Sequence, residues 1–107
     1  MRIEEIQEAL REGGLDGWLF ADHHGRDPLA YRILGLRAER VATRRWYYLI
    51  PPSGEPCGLV HRIEPEVLAG LPGRRIVYAS WREHAEGLGQ MLVGKRRVAM
   101  QYSPECR

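Results

Sequence analysis

Two adjacent histidines, His23 and His24, form the densest group of reactive side chains in the sequence, together with Asp22, Arg26 and Asp27. A neutral imidazole beside a carboxylate is a common ligand set for divalent metals. However, neighbouring residues on an extended segment point in opposite directions, so two adjacent imidazoles rarely face one ion. The other two histidines lie far along the chain and offer no obvious third ligand. We therefore expect no metal site here, and we expect these side chains to cap a helix, hold a loop or contact a neighbouring domain.

The serines and cysteines do not indicate nucleophilic catalysis. Ser53 lies in a Pro/Gly turn, and Ser80 and Ser103 stand where helix caps are expected. Cys57 and Cys106 lie in different segments without CxxC spacing, so we expect free thiols rather than a disulfide. The glycine pairs lack the strand–loop–helix context that a phosphate-binding loop requires.

The charge balance argues against nucleic acid or a membrane as a partner. The sequence has 16 basic and 14 acidic side chains, a net charge of +2 at pH 7. Arginines from Arg37 to Arg45 precede the aromatic run 46–48, and this combination can bind single-stranded nucleic acid. Because the aromatics fall in a predicted strand, alternate ones belong to the core. A solvated loop, or one that contacts a partner domain or a substrate carboxylate, is the better interpretation.

Apolar periodicity predicts alternating helices and strands. Helical spacing covers residues 3–10, Asp27 and Pro28 begin a second helix that Gly35 ends, and Ser80 with Glu83 forms the capping box of a third. Gly87 and Gly89 interrupt this third helix, and we expect them to allow close packing on the sheet. A short helix is predicted over 65–69, and strands over 18–21, 46–50, 57–61, 75–79 and 98–102. The turn at 51–56 makes one strand antiparallel, so the sequence predicts an α/β domain with a mixed five-stranded sheet.

The two ends of the sequence carry further expectations. Residues 103–105, Ser-Pro-Glu, give another helix-start signal just before residue 107, and we expect a fragment of a longer protein, with a frayed tail as the alternative. The first five residues lack the apolar region of a secretory signal, and no run approaches the roughly 20 apolar residues of a membrane span. The expected location is cytoplasmic.

The order of these segments resembles a known family. An amphipathic helix is followed by the strand-like run LDGWLF at 15–20, the helix end YRILGL at 31–36, an arginine before a strand, and a Pro/Gly hairpin. This arrangement is similar to the N-terminal domain of the creatinase, prolidase and aminopeptidase P group of metallopeptidases. Leu34 stands where the family usually has Thr or Ser, and Leu36 where it has Phe.

The resemblance implies a three-layer α/β fold with a ribonuclease-H-like mixed sheet, of the creatinase/prolidase N-terminal type. It implies that residues 1–107 are one domain, without the catalytic domain that follows in the family and holds two divalent metal ions (Mn, Co or Zn). The domain would be non-catalytic, would mediate homodimer contacts and would shape the pocket for a peptide substrate of the full-length hydrolase. No catalytic or metal-ligating residue is carried over. The candidate substrate-pocket residues are His23, His24, Arg26 and Asp27.

Two other functions remain open at this point. The chain could be a stand-alone α/β module that binds a small ligand through the loop predicted to carry His23 and His24, which we call the histidine loop. It could also be an independent enzyme that uses His23 or His24 as a general base, although no nucleophile or cofactor motif accompanies them.

Overall fold

The computed structural model describes residues 3–22, 33–34, 45–63, 65–68 and 70–102. The helices are α1 (Ile3–Glu12), a 3₁₀ helix (Pro65–Leu68) and α2 (Trp81–Leu92). The strands are β1 (Gly17–Asp22), β2 (Trp46–Ile50), β3 (Cys57–His61), β4 (Arg74–Tyr78) and β5 (Val98–Tyr102). Each lies where the sequence predicts it, within a residue or two at most ends. Of the predicted second helix, Ile33 and Leu34 are helical, and the rest lies outside the described residues, as does the predicted helix at 103–105.

The five strands form one mixed sheet in the order β4-β3-β2-β1-β5. β2 pairs antiparallel with β1 and β3, while β1 pairs parallel with β5 and β3 pairs parallel with β4. β2 therefore runs opposite to the other four strands. This confirms the mixed sheet that the hairpin at 51–56 predicts.

Alternating side chains give the sheet two apolar faces, and this makes the fold three-layered. All five residues of β2 are buried, because its successive side chains enter opposite cores. Trp46, Tyr48 and Ile50 join one core with Leu10 of α1. Tyr47 and Leu49 join the other core, against which α2 packs.

Helix α2 lies close to the sheet because one of its interior residues has no side chain. A Cβ at Gly87 would lie 2.7 Å from Leu59 Cδ1 and 3.2 Å from Ile76 Cγ2. The prediction of close packing is confirmed for Gly87. It is wrong for Gly89, which is exposed and where a Cβ would meet nothing within 4 Å.

Asp16 fixes the starts of two neighbouring strands. Its Oδ2 accepts hydrogen bonds from the backbone N–H groups of Arg96 and Arg97, at 2.8 and 3.0 Å, and its own N–H donates to the Arg97 carbonyl oxygen at 2.6 Å. The two hydrogen bonds to Oδ2, first the one from Arg97 and then the one from Arg96, lower the pKa of the Asp16 carboxyl. The loop before β1 is thereby tied to the loop before β5.

In the part of the chain that the structure describes, no helix combines the length and apolar character needed to span a bilayer.

Candidate functional site

Four strands end at the same edge of the sheet, which we call the carboxyl edge. β1, β3, β4 and β5 run in one direction, so their last residues meet there, and β2 begins there. Asp22 at the end of β1 pairs with Trp46 at the start of β2. The two ends of the segment 23–45 are therefore neighbours at the edge where α/β folds usually bind ligands.

The predicted substrate-pocket residues His23, His24, Arg26 and Asp27 lie outside the described residues. The structure describes the backbone up to Asp22, immediately before them. It therefore shows the edge from which their segment leaves the sheet, and the pocket itself stays a prediction.

A cluster of aromatic and histidine side chains, which we call the aromatic cluster, lies at the carboxyl edge on the α2 side of the sheet. Its members are Tyr47, His61, Tyr78, Trp81 and His84. His84 Nε2 lies 2.9 Å from the Tyr47 hydroxyl oxygen. The Tyr78 ring meets both imidazole rings edge-on, with centroids 5.1 Å from His61 and 4.9 Å from His84. The Trp81 ring centroid lies 5.5 Å from that of His84, and its side chain is 78% exposed.

Local sequence rules position these side chains. His61 shares a face of β3 with Cys57 and Leu59, because every second residue of a strand points the same way. The capping box predicted for α2 forms in part: the Glu83 N–H donates to Ser80 Oγ at 3.2 Å, while Glu83 Oε1 accepts from the N–H of Ala79, one residue before the cap, at 2.9 Å. This fixed start places His84 in the first turns of α2, above the ends of the strands.

Burial disfavours the charged form of His84. Desolvation lowers the pKa of the imidazole, and the positive charge of Arg45 lowers it further. The Tyr78 hydroxyl donates to the Arg45 carbonyl oxygen at 2.5 Å, so the residue before β2, the end of β4 and α2 are joined through the cluster. Buried polar groups normally have a hydrogen-bond partner, and for His84 that partner is the Tyr47 hydroxyl.

The position of His61 and His84 is the feature that the sequence analysis missed. Both lie far along the chain from His23, yet the Tyr78 ring contacts the two imidazole rings at the carboxyl edge. The alternation in β3 and the capping box of α2 place each residue correctly. Recognising the cluster also requires knowing that β3 and β4 are neighbours, which the periodicity alone does not reveal.

The structure gives little support for catalysis by other side chains. The described residues contain no group of three or more His, Cys, Asp or Glu side chains arranged to hold a metal ion. Cys57 is buried and free, as predicted, and burial raises the pKa of its thiol, which disfavours a nucleophilic thiolate. Cys106 lies outside the described residues.

Comparisons with known proteins identify the fold. No family model and no curated protein sequence matches this chain. The solved N-terminal domain of Xaa-Pro dipeptidase from Lactobacillus brevis matches with a TM-score of 0.65 and 17% identity, over 94% of this chain and 75% of that one. The prolidase from Pyrococcus horikoshii OT3 matches with a TM-score of 0.60 and 18% identity, over 92% of this chain and 25% of that one. The chain therefore has the fold of the prolidase N-terminal domain, as its resemblance to that family implies.

Proposed function

We propose that this chain is the non-catalytic N-terminal domain of a proline-specific metallopeptidase of the Xaa-Pro aminopeptidase or dipeptidase type. The observation that carries the proposal is the match of 94% of the chain to an N-terminal domain of a Xaa-Pro dipeptidase. The chain spans only a quarter of the full prolidase that it also matches. A domain of this extent leaves most of such a protein for a separate catalytic domain.

The metal chemistry belongs, in this proposal, to residues beyond position 107. The described residues do not fit a two-metal site, since no cluster of three ligands is formed among them. Residues 1–107 would then be one domain, and two divalent ions (Mn, Co or Zn) would be bound by the catalytic domain of the longer protein. No reaction step is assigned to this chain.

The domain would serve dimerisation and help to form the substrate pocket. The segment with His23, His24, Arg26 and Asp27 leaves the sheet at the carboxyl edge, where ligand sites form in α/β folds. A guanidinium and two imidazoles there could bind the charged end of a peptide substrate. The aromatic cluster next to this segment would give it a rigid base.

The test is a peptidase assay on the product of the native gene, with and without Mn²⁺, using a Xaa-Pro peptide, together with its intact mass. A product several times heavier than this chain with metal-dependent cleavage would support the proposal. A product of 107 residues without hydrolysis would contradict it.

The pocket role is tested by two variants of the same full-length enzyme. His24→Ala and Arg26→Ala are expected to raise KM more than they lower kcat, because they would remove binding contacts and no reacting group. Arg96→Ala is the matched control. Arg96 is an exposed arginine just before β5, at the end of the sheet that lies away from the carboxyl edge. Equal kinetics in all three variants would leave the histidine loop without a role in binding.

One observation favours the alternative of a small-ligand-binding module. An open groove of about 400 Å³ lies between α1 and strands β1 and β5, lined mainly by apolar side chains that include Ile6, Leu15 and Trp18. This volume falls within the range of small-molecule sites. If the native product is the short chain, quenching of tryptophan fluorescence by apolar ligands, lost in an Ala99→Phe variant that fills the groove without adding a tryptophan, would support this alternative.

A further inference from the structure

The outer edge of β4 presents backbone groups that no strand in the described part of the chain pairs with. On the inner side, the Arg74 N–H donates to the Pro56 carbonyl oxygen at 3.1 Å, and the Tyr78 carbonyl oxygen accepts from the Arg62 N–H at 2.9 Å. Backbone groups alternate in direction along a strand, so Arg74, Ile76 and Tyr78 face β3. The N–H and C=O groups of Arg75 and Val77 therefore face outward.

Of the two charged side chains on β4, Arg74 is exposed at the start of the strand, and Arg75 is not placed to shield its outer edge. Charged side chains normally keep exposed edges from pairing. Here the Arg75 guanidinium is drawn back over the sheet, where it donates to the carbonyl oxygens of Leu68 and Leu71 at 2.7 Å each and lies over the Tyr48 ring. Val77, whose backbone N–H and C=O groups face outward, has an apolar side chain and is 52% exposed.

We propose that β4 pairs antiparallel with β4 of a second copy of this chain, about a two-fold axis at Ile76. Arg75 of one copy then stands opposite Val77 of the other, and these are the residues whose backbone groups face outward. Each such pair exchanges two N–H···O=C bonds, and Ile76 meets Ile76 between the pairs, which is the alternation that an antiparallel ladder requires. The two sheets would become one continuous sheet.

Strand length and charge together favour this register among the two-fold alternatives. Centring on Ile76 pairs all five residues of β4, with Arg74 opposite Tyr78 of the other copy, whereas centring on Val77 would pair only residues 76–78. Centring on Arg75 would place the two Arg75 residues opposite each other, which is unfavourable. The inference rests on the dimerisation proposed above and names the surface that carries it.

The test compares two charge variants at one exposed position by sedimentation equilibrium. Val77→Lys places a cation opposite Arg75 of the other copy, twice per dimer, and should raise the dimer Kd about tenfold, in line with cross-strand pair energies. Val77→Glu places a carboxylate there and should leave the Kd unchanged or lower it. Met100→Lys is the control, because Met100 is 54% exposed on β5, the opposite edge strand, and it should not change the Kd.

Each other outcome overturns a defined part of the inference. Weakening by both Val77 variants would replace the Ile76 register by one centred on Val77. A dimer that Val77→Lys does not weaken would exclude the β4 edge while leaving dimerisation intact, and weakening by Met100→Lys would then indicate β5 instead. A wild-type chain that stays monomeric would exclude the β4 pairing and this domain's part in dimerisation, whereas the peptidase assay tests the rest of the proposed function separately.

Discussion

Two glycines in α2, two residues apart, should respond to alanine with opposite changes in stability. At Gly89 an added Cβ meets nothing within 4 Å. Replacing an interior helical glycine by alanine removes backbone freedom from the unfolded chain, so Gly89→Ala should stabilise the protein by about 0.5–1 kcal/mol.

At Gly87 the same gain is opposed by a clash. The new Cβ would lie 2.7 Å from Leu59 Cδ1, and Leu59 is fully buried and has little room to move. Ile76 Cγ2 at 3.2 Å closes a second direction. Overpacking of a core typically costs about 1–3 kcal/mol, which exceeds the helical gain, so Gly87→Ala should destabilise the protein by about 1 kcal/mol.

Urea unfolding followed by tryptophan fluorescence measures both changes, and Trp46 is a suitable reporter because it is almost fully buried. In a thermal scan, 1 kcal/mol corresponds to roughly 4–8 °C for a domain near this size. Leu59→Val supplies a further control, since it removes the clashing atom and should make Gly87→Ala less harmful in the double variant. If Gly87→Ala raised the midpoint as much as Gly89→Ala, the close contact between α2 and the sheet would be refuted.

Three further predictions follow from named contacts. Because its native pKa is lowered, the Asp16 carboxylate contributes stability that is present above the ordinary value of 3.8 and is lost as pH falls below it; the urea midpoint should drop there, and Asp16→Asn should remove that part of the pH dependence and be less stable at neutral pH. The lowered pKa of His84 means that the unfolded chain binds a proton first, so stability should rise with pH up to the ordinary value of 6.5; His84→Phe should flatten urea midpoints measured from about pH 5 to pH 7, and an unchanged slope would place the titrating group elsewhere. Gly73 has a φ of +100°, and a Cβ there would run into the Pro56 carbonyl oxygen; Gly73→Ala should cost more than about 2 kcal/mol by the same urea assay, and a near-neutral result would contradict the turn geometry.

Local patterns predict the elements of this fold well, because their determinants lie within a few residues. The capping box of α2 needs only Ser80 and Glu83, and the hairpin between β2 and β3 needs only the turn between them. The buried run of β2 indicates apolar surroundings, and the structure shows that its alternate side chains fill two separate cores.

The strand order and the aromatic cluster depend on contacts between distant parts of the chain. Periodicity places β4 and β5 in the sheet without indicating that they lie at opposite edges. For the same reason the sequence places His61 on a strand and His84 on a helix, but it does not predict that both imidazole rings contact the Tyr78 ring. The Gly89 prediction failed for a related reason: the sequence shows a glycine in a helix but not which side of that helix faces the sheet.

Many of the polar and ionisable side chains in the described part of the chain form hydrogen bonds that stabilise the fold. Hydrogen bonds to the backbone occupy the side chains of Asp16, Tyr48, Tyr78, Ser80 and Glu83. His84 is held by a side chain instead, the Tyr47 hydroxyl. Drawing any of these groups into a reaction would leave its partner without a hydrogen bond, at a cost to the fold. The segment after Asp22 leaves the sheet at the edge where ligands bind in α/β folds. In the function proposed above, that segment rather than the helices and strands would contact the substrate.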